Sequence, residues 1–171
     1  MSLHVIVDGY NFLNAQPQLA ALLARDLEAA RHRLLAELAR YRQRKGHQVS
    51  AVFDARRARQ LPPVASRQGT RAGVGFVFSR PGQEADEVIC EMARRAGMRA
   101  VVVTADGALA ESCRRFGAAI VGPAEFAALL AEEDTAKMEE EEGEEAGSPK
   151  KGPAKRAPKR ERRERLRKQK L

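Results

Sequence analysis

An α/β domain built on a central parallel sheet is the fold the sequence predicts, and three observations predict it. Apolar runs of strand length alternate with stretches of helical periodicity, and glycine or proline stands at several of the joins. The runs are nearly continuous in apolar residues, as strands covered on both faces are. With 171 residues, 43% of them hydrophobic, the chain is long enough for one well-buried domain and too short for two ordinary ones.

The elements read as follows. Leu3 to Val7 is a buried strand that stops at Asp8-Gly9. From Arg25 to Lys45, Leu27, Ala30, Leu34, Leu35, Leu38 and Tyr41 recur at helical spacing until Gly46 ends the helix. Gln48 to Phe53 is the second strand, closing at Asp54, and Val74 to Phe78 the third, after a loop rich in arginine and proline. A helix starts near Gln83, with Val88, Ile89, Met92 and Ala96 on one face, and ends at Gly97. Ala100 to Val103 is the fourth strand, Gly107 to Phe116 a helix and Ala118 to Val121 a short fifth strand. Pro123 to Leu130 is a last helix with proline in its first turn.

Charge divides the chain. Residues 1–131 carry a net +6, residues 132–145 a net −8 and residues 146–171 a net +10, which together give the overall +8. The expected organisation is a folded domain over 1–131 and a disordered tail over 132–171, acidic in 132–145 and basic in 146–171. A composition so poor in apolar residues does not bury enough surface to offset the entropy of ordering. A basic body with a basic tail points to an anionic partner, nucleic acid first. Cys90 and Cys113 have the spacing of neither a redox pair nor a zinc knuckle and read as ordinary helix residues, which fits a reducing cytoplasm. No segment has the length of a membrane span or the layout of a signal peptide, so a soluble, cytoplasmic protein is expected.

The acids sit informatively in that frame. Asp8, Asp54 and Asp106 each follow the C-terminal end of an expected strand, the edge where open parallel sheets bind ligands. Glu84 and Asp86 lie in the first turn of the helix after the third strand, from which they can face the same cleft. Carboxylates held close together repel one another, and a hard cation such as Mg²⁺ or Mn²⁺ relieves the repulsion. A bound ion of that kind lowers the pKa of an attacking water and stabilises charge on a phosphodiester. The structural alternative is that Asp8, Asp54 and Asp106 simply cap the helices that follow, and that Glu84 and Asp86 answer a helix dipole.

Motifs in series then sharpen the reading. Val7-Asp8-Gly9-Tyr10-Asn11, Val52-Phe53-Asp54-Ala55, Glu84-Ala85-Asp86-Glu87-Val88-Ile89, Val103-Thr104-Ala105-Asp106 and Gly117-Ala118 with Glu125-Phe126 together resemble the YacP-like branch of the NYN domain family, within the PIN-like nucleases. The resemblance covers about residues 3 to 131. It implies a three-layer PIN-like domain, an acidic cleft for one or two Mg²⁺ or Mn²⁺ ions, and endonucleolytic cleavage of RNA. By that resemblance Asp8, Asp86 and Asp106 match the metal-binding catalytic acids, with Asp54 and Glu84 as further metal candidates. Asn11 matches an asparagine that shapes the cleft or orients a ligand, against the alternative of a turn cap. It also implies a link to messenger RNA turnover or the ribosome. Ala105 departs from the family pattern, where serine is common.

Arg56, Arg57 and Arg59 follow Asp54, and Arg67, Arg71 and Arg80 continue beyond, a basic strip suited to phosphates unless its charges are merely solvated. Tyr10 and Phe78 are candidates for stacking on bases, with core packing as the alternative for Phe78, in a chain only 5% aromatic. The basic end of the tail is either an RNA anchor or a solubilising appendage; the acidic run, alternatively, folds back to screen it. His4, His32 and His47 show no ligand spacing, so a histidine base is not expected. A haloacid-dehalogenase-like phosphatase needs a second aspartate where Tyr10 stands, and the glycine fingerprints of Rossmann and P-loop enzymes are missing. The competing class is a non-catalytic RNA-binding or ribosome-associated module of the same fold.

Overall fold

The computed structural model describes residues 1–58, 62–139 and 159–171. Strand β1 (His4–Asp8) leads into three helices, α1 (Gly9–Ala15), α2 (Pro17–Arg25) and α3 (Leu27–Lys45). Then come β2 (Gln48–Phe53), β3 (Gln68–Arg71), β4 (Val74–Phe78), α4 (Ala85–Ala96), β5 (Ala100–Val103), α5 (Gly107–Arg115), β6 (Ala119–Val121), α6 (Pro123–Glu139) and α7 (Lys159–Lys168). The strands form one sheet in the order β3-β4-β2-β1-β5-β6. β1 lies at its centre, parallel to β2 on one side and to β5 on the other.

Each strand sends alternate residues to opposite faces, which is what makes three layers. Val5, Val7, Val49, Ala51, Phe53, Val101 and Val103 pack under α1, α2, α3 and α6 in one core. Ile6, Val52, Val102 and Ile120 pack under α4 and α5 through Ala85, Ile89, Ala93, Leu109 and Cys113 in the other. Local signals set the helix ends. Asp26 caps α3 by accepting from the Ala29 amide at 2.9 Å, and Gly46 closes it in the left-handed region at φ 67°.

Two expectations change. The sheet is mixed, because β3, read from sequence as loop, pairs antiparallel with β4. All four residues of β3 are exposed, so no apolar alternation announces it. Its hairpin turns through Ala72 and Gly73, both at positive φ, without the Asn-Gly or Asp-Gly signature. The helix expected over 25–45 is also preceded by two short ones, separated from each other and from α3 by the extended residues Gln16 and Asp26.

The expected tail does not begin cleanly at 132. Residues 132–139 continue α6, while α7 and the residues after it return to the domain. There Leu171 is buried in the first core, the Lys170 carbonyl lies 2.7 Å from His47 Nε2, and Arg167 donates to the carbonyls of Met98 and Gly117. One leucine and a few directed hydrogen bonds suffice to seat a segment that average composition counts as too polar. The remaining tail, 140–158, lies outside the described residues.

Gly9 is where fold and site meet. A Cβ there would stand 2.4 Å from the Phe53 ring and 2.9 Å from the Val52 carbonyl, so only glycine lets α1 leave β1 so close to β2. Gly9→Ala is expected to destabilise the domain by about 1–3 kcal/mol, read by urea unfolding, because the clash is partly with backbone that does not yield.

Candidate active site

The chain leaves β1 for β2 on one side of the sheet and reaches β5 and β6 on the other, so strand order reverses between β1 and β5. Such a switch opens a crevice beyond the C-terminal ends of the strands. Asp8 is the last residue of β1 and Asp106 the residue before α5, and the register carries both to this rim. Asp86 enters from the first turn of α4, Glu84 stands just before that helix and Asp54 just after β2. The sequence-expected acids therefore meet at one edge: Asp8 feels the charges of Asp86 and Asp106, and Asp86 feels Asp106, Glu84 and Asp54. Among the described residues, however, no three acidic, histidine or cysteine side chains stand in a ready-made chelating cluster.

The acids are not equivalent. Asp54 and Glu84 share Arg56, whose Nη2 lies 3.3 Å from Asp54 Oδ2 and 3.0 Å from Glu84 Oε1. Asp54 also accepts from the Arg56 amide at 2.8 Å and so caps the turn after β2. Burial works to raise the Asp54 pKa, but the Arg56 side chain and amide outweigh it and hold the carboxyl below its ordinary range. Glu84 further takes part in a capping box with Glu87 at the start of α4. Asp106 accepts from the Leu109 amide at 3.0 Å, the cap of α5, with its other oxygen left over.

Asp8 differs from these. It precedes α1, whose Asn11 amide faces its carboxylate, and Thr104 Oγ1 donates to Oδ2 at a long 3.4 Å; both favour the charged form. Burial first, and then the neighbouring Asp86, push its pKa up to about 6, with Asp106 adding to the rise. Asp86 is raised for the same reasons: burial, then Asp106, Glu84 and Asp54. Asp8, Asp86 and Asp106 form an acidic group with no guanidinium bonded to any of them among the described residues. All their donor atoms are carboxylate oxygens, the set that suits Mg²⁺ or Mn²⁺.

Asn11 and Thr104 hold the rim in place. Asn11 Oδ1 accepts from the Ala105 amide at 2.8 Å, tying α1 to the segment after β5, and Thr104 Oγ1 accepts from the Asp106 amide at 3.1 Å. Asn11 acts here through the backbone of its neighbour rather than as a simple turn cap. Thr104 was not singled out as a site residue, although a threonine two residues before a capping aspartate is a readable turn signal. Ser79 was likewise missed; fully buried, it receives the Ala55 amide at 2.9 Å and fixes the turn that carries Asp54.

The basic strip is sorted by strand direction. Arg57 is exposed, its guanidinium carbon 6.0 Å above the Tyr10 ring, and Arg80 is exposed just past β4, at the acidic edge. Arg67 also lies at that end, hydrogen-bonded to the Pro62 carbonyl at 3.1 Å. Arg71 does not: antiparallel pairing sets it opposite Val74, at the far edge. Arg56 is engaged by the acids, and Arg59 lies outside the described residues. Tyr10 is only 3% exposed, packs on Phe53 and accepts from Arg31 at 3.2 Å, so it is a core residue and not a stacking platform. Phe78 is buried too, with Arg31 5.0 Å over its ring.

The raised Asp8 pKa has a measurable consequence. Between its ordinary 3.8 and about 6 the folded chain holds a proton that the unfolded chain has lost, so stability falls as pH rises through that window and levels off above it. Asp8→Asn is expected to stabilise the metal-free chain at pH 7.5 by on the order of 1–3 kcal/mol, with the gain vanishing below about pH 4. Urea unfolding of both proteins across pH, in chelator, checks the sign and the window.

Among the described residues no helix is long and apolar enough to cross a membrane. A solved structure of Rae1 (YacP) from Bacillus subtilis superposes with a TM-score of 0.64 at 28% identity, covering 82% of this chain and 83% of that one. A single-substitution mutant of the same protein gives 0.66 at 29% identity, over 82% and 80%. The uncharacterized protein YacP of Bacillus subtilis (strain 168) is 36% identical over 90 residues, 53% of this chain and 51% of that protein, so the matched stretch spans about half of that relative. The model of the YacP-like NYN domain matches residues 5–170, nearly the full length. With a mixed six-stranded sheet, helices on both faces and this match, the chain belongs to the YacP-like NYN domain family and has its PIN-like nuclease fold.

Proposed function

We propose that this protein is a divalent-metal-dependent endoribonuclease that hydrolyses internal phosphodiester bonds of RNA. One observation carries the reading: burial and the neighbouring Asp86 and Asp106 push Asp8 up to about 6, against the Thr104 hydroxyl and Asn11 amide that favour its charged form. Carboxylates crowded in that way are relieved by a cation held among them. Asp8, Asp86 and Asp106 are the oxygens that would hold Mg²⁺ or Mn²⁺, partly through the waters such ions retain. When bound, one or two such ions supply an ionised water nucleophile and charge relief on the scissile phosphate.

The chain's own residues do the rest. Thr104 orients Asp8 and Asp106 at once, Asn11 holds the segment after β5, and the Arg56 bridge ties Asp54 to Glu84. Arg57, Arg67 and Arg80 lie where the flanking phosphates of a bound strand would pass, and phosphate contacts supply most nonspecific affinity. The family and the basic balance make RNA the substrate class, and a cytoplasmic messenger or ribosomal RNA met during translation is the substrate this reading names. The second reading, an RNA-binding module without turnover, draws on the lack of a ready-made chelating cluster among the described residues.

Cleavage separates them. Purified chain incubated with mixed RNAs is expected to cut in Mg²⁺ or Mn²⁺ and not in chelator, with Asp8→Asn and Asp86→Asn slower by roughly 100-fold or more. Thr104→Val, which removes a positioning hydroxyl, is expected to cost about 10–100-fold. RNA bound equally in every case and never cut would establish the binding module instead.

Binding in metal-free buffer tests the basic strip apart from chemistry. Arg57→Ala and Arg80→Ala are each expected to weaken RNA binding and to lower the slope of log affinity against log salt by about 1, whereas Arg71→Ala, at the far edge, leaves both unchanged.

A further inference from the structure

α4 and α5 pack side by side beneath the acidic rim, and each carries one of the chain's two cysteines on the facing side. Cys90 is half-buried, Cys113 is fully buried, both are free, and their Sγ atoms lie 3.8 Å apart. Their separation of 23 residues hides this; only parallel docking of the two helices brings them together. Asp86 stands one helical turn above Cys90, and Asp106 caps the helix that carries Cys113.

We propose that Cys90 and Cys113 form a thiol–disulfide couple, closed by a peroxide or a small-molecule disulfide into a covalent bridge between α4 and α5 under the acidic rim. The half-exposed Cys90 is the sulfur that meets the oxidant. Burial first, and then the adjoining Cys90, push the Cys113 thiol up to about 12, so it acts only as the resolving partner. With hydrogen peroxide, the Cys90 thiolate attacks one oxygen, the O–O bond breaks, and hydroxide leaves with the thiol's proton as water. The Cys113 sulfur then attacks the resulting sulfenic sulfur, and the S–OH bond breaks. Hydroxide departs with the Cys113 proton as a second water. Each sulfur gives up one electron and the peroxide takes two.

Closing the contact from 3.8 Å to a disulfide length of about 2.05 Å draws the two helices together by an appreciable fraction of the difference. Asp86 and Asp106 move with them. Given that the acids perform the cleavage proposed above, a displacement of about 1 Å is enough for a large loss of rate, on the order of 100-fold.

The whole chain is treated with hydrogen peroxide or oxidised glutathione, digested without reductant and read by mass spectrometry. The expected product is an intramolecular Cys90–Cys113 cross-linked peptide, two hydrogens lighter than the thiol pair and reversed by dithiothreitol. RNA cleavage is expected to fall at least about tenfold on oxidation and to return on reduction, while Cys90→Ser cuts normally and ignores the oxidant. Cys113→Ala gives a second peroxide-insensitive chain if the serine variant folds poorly. No cross-link, a cross-link only between molecules, or Cys90 oxidised to sulfinic acid alone would overturn the couple, and a complete cross-link with undiminished cleavage would overturn its effect on the site. The cross-link is read whether or not RNA is cut, so a reduced chain that never cleaves counts against the nuclease reading and not against the couple.

Discussion

Mutual repulsion among Asp8, Asp86 and Asp106 is the constraint on which the account rests. These carboxylates reach one rim from the end of β1, the first turn of α4 and the cap of α5, elements separated by up to most of the domain's length. Arg56 is bonded to Asp54 and Glu84 and acts on Asp86 through its charge alone, and Asp8 is half-buried with a long hydrogen bond from Thr104. Negative charge confined in that way raises proton affinity, and the proposed cation would take the proton's place.

The fold makes this arrangement affordable to hold. β1 sits in the middle of the sheet with strands on both sides, and Asp8, paired with Val52 of β2, follows directly on the pairing of Val7 with Val103, with a buried core on each face. Gly9 lets the chain turn at once into α1, which places Asn11 against the segment after β5; Thr104 then joins Asp8 to the Asp106 amide. The opposite pole is locked separately, by Leu171 and Arg167, away from the acidic rim. His4 belongs to that pole too: bonded to Ser50 at 3.0 Å and held down to about 4 by burial and Arg99, it lies at the other end of β1 from Asp8.

Much of this was legible in the residues, and the limits have physical causes. Strands with continuous apolar runs, such as Ala100 to Val103, declare themselves because both faces are buried; β3 does not, because neither face is. The acids were found through their places after strands, yet how far each serves as a cap depends on side-chain rotamers, and only coordinates show Asp106 bonded to the Leu109 amide and Asp8 half-buried beside Asp86 with Thr104 on its Oδ2. Arginines could be counted but not aimed: Arg71 is carried to the wrong edge by a hairpin that composition conceals, and Arg56 is taken up by Asp54 and Glu84. Tyr10, a stacking candidate from sequence, lies where α1 begins, and its ring packs on Phe53. The docking of residues 159–171 was hidden for a related reason, since one terminal leucine does not register in an average.

The charge state of Asp8 tests the central claim most directly. Its carboxyl carbon, followed by NMR across pH, is predicted to titrate near 6 in metal-free buffer and to shift well below its ordinary 3.8 when Mg²⁺ is added. A midpoint at the ordinary value in both solutions would contradict the account, because the three acids would then neither repel one another nor share an ion.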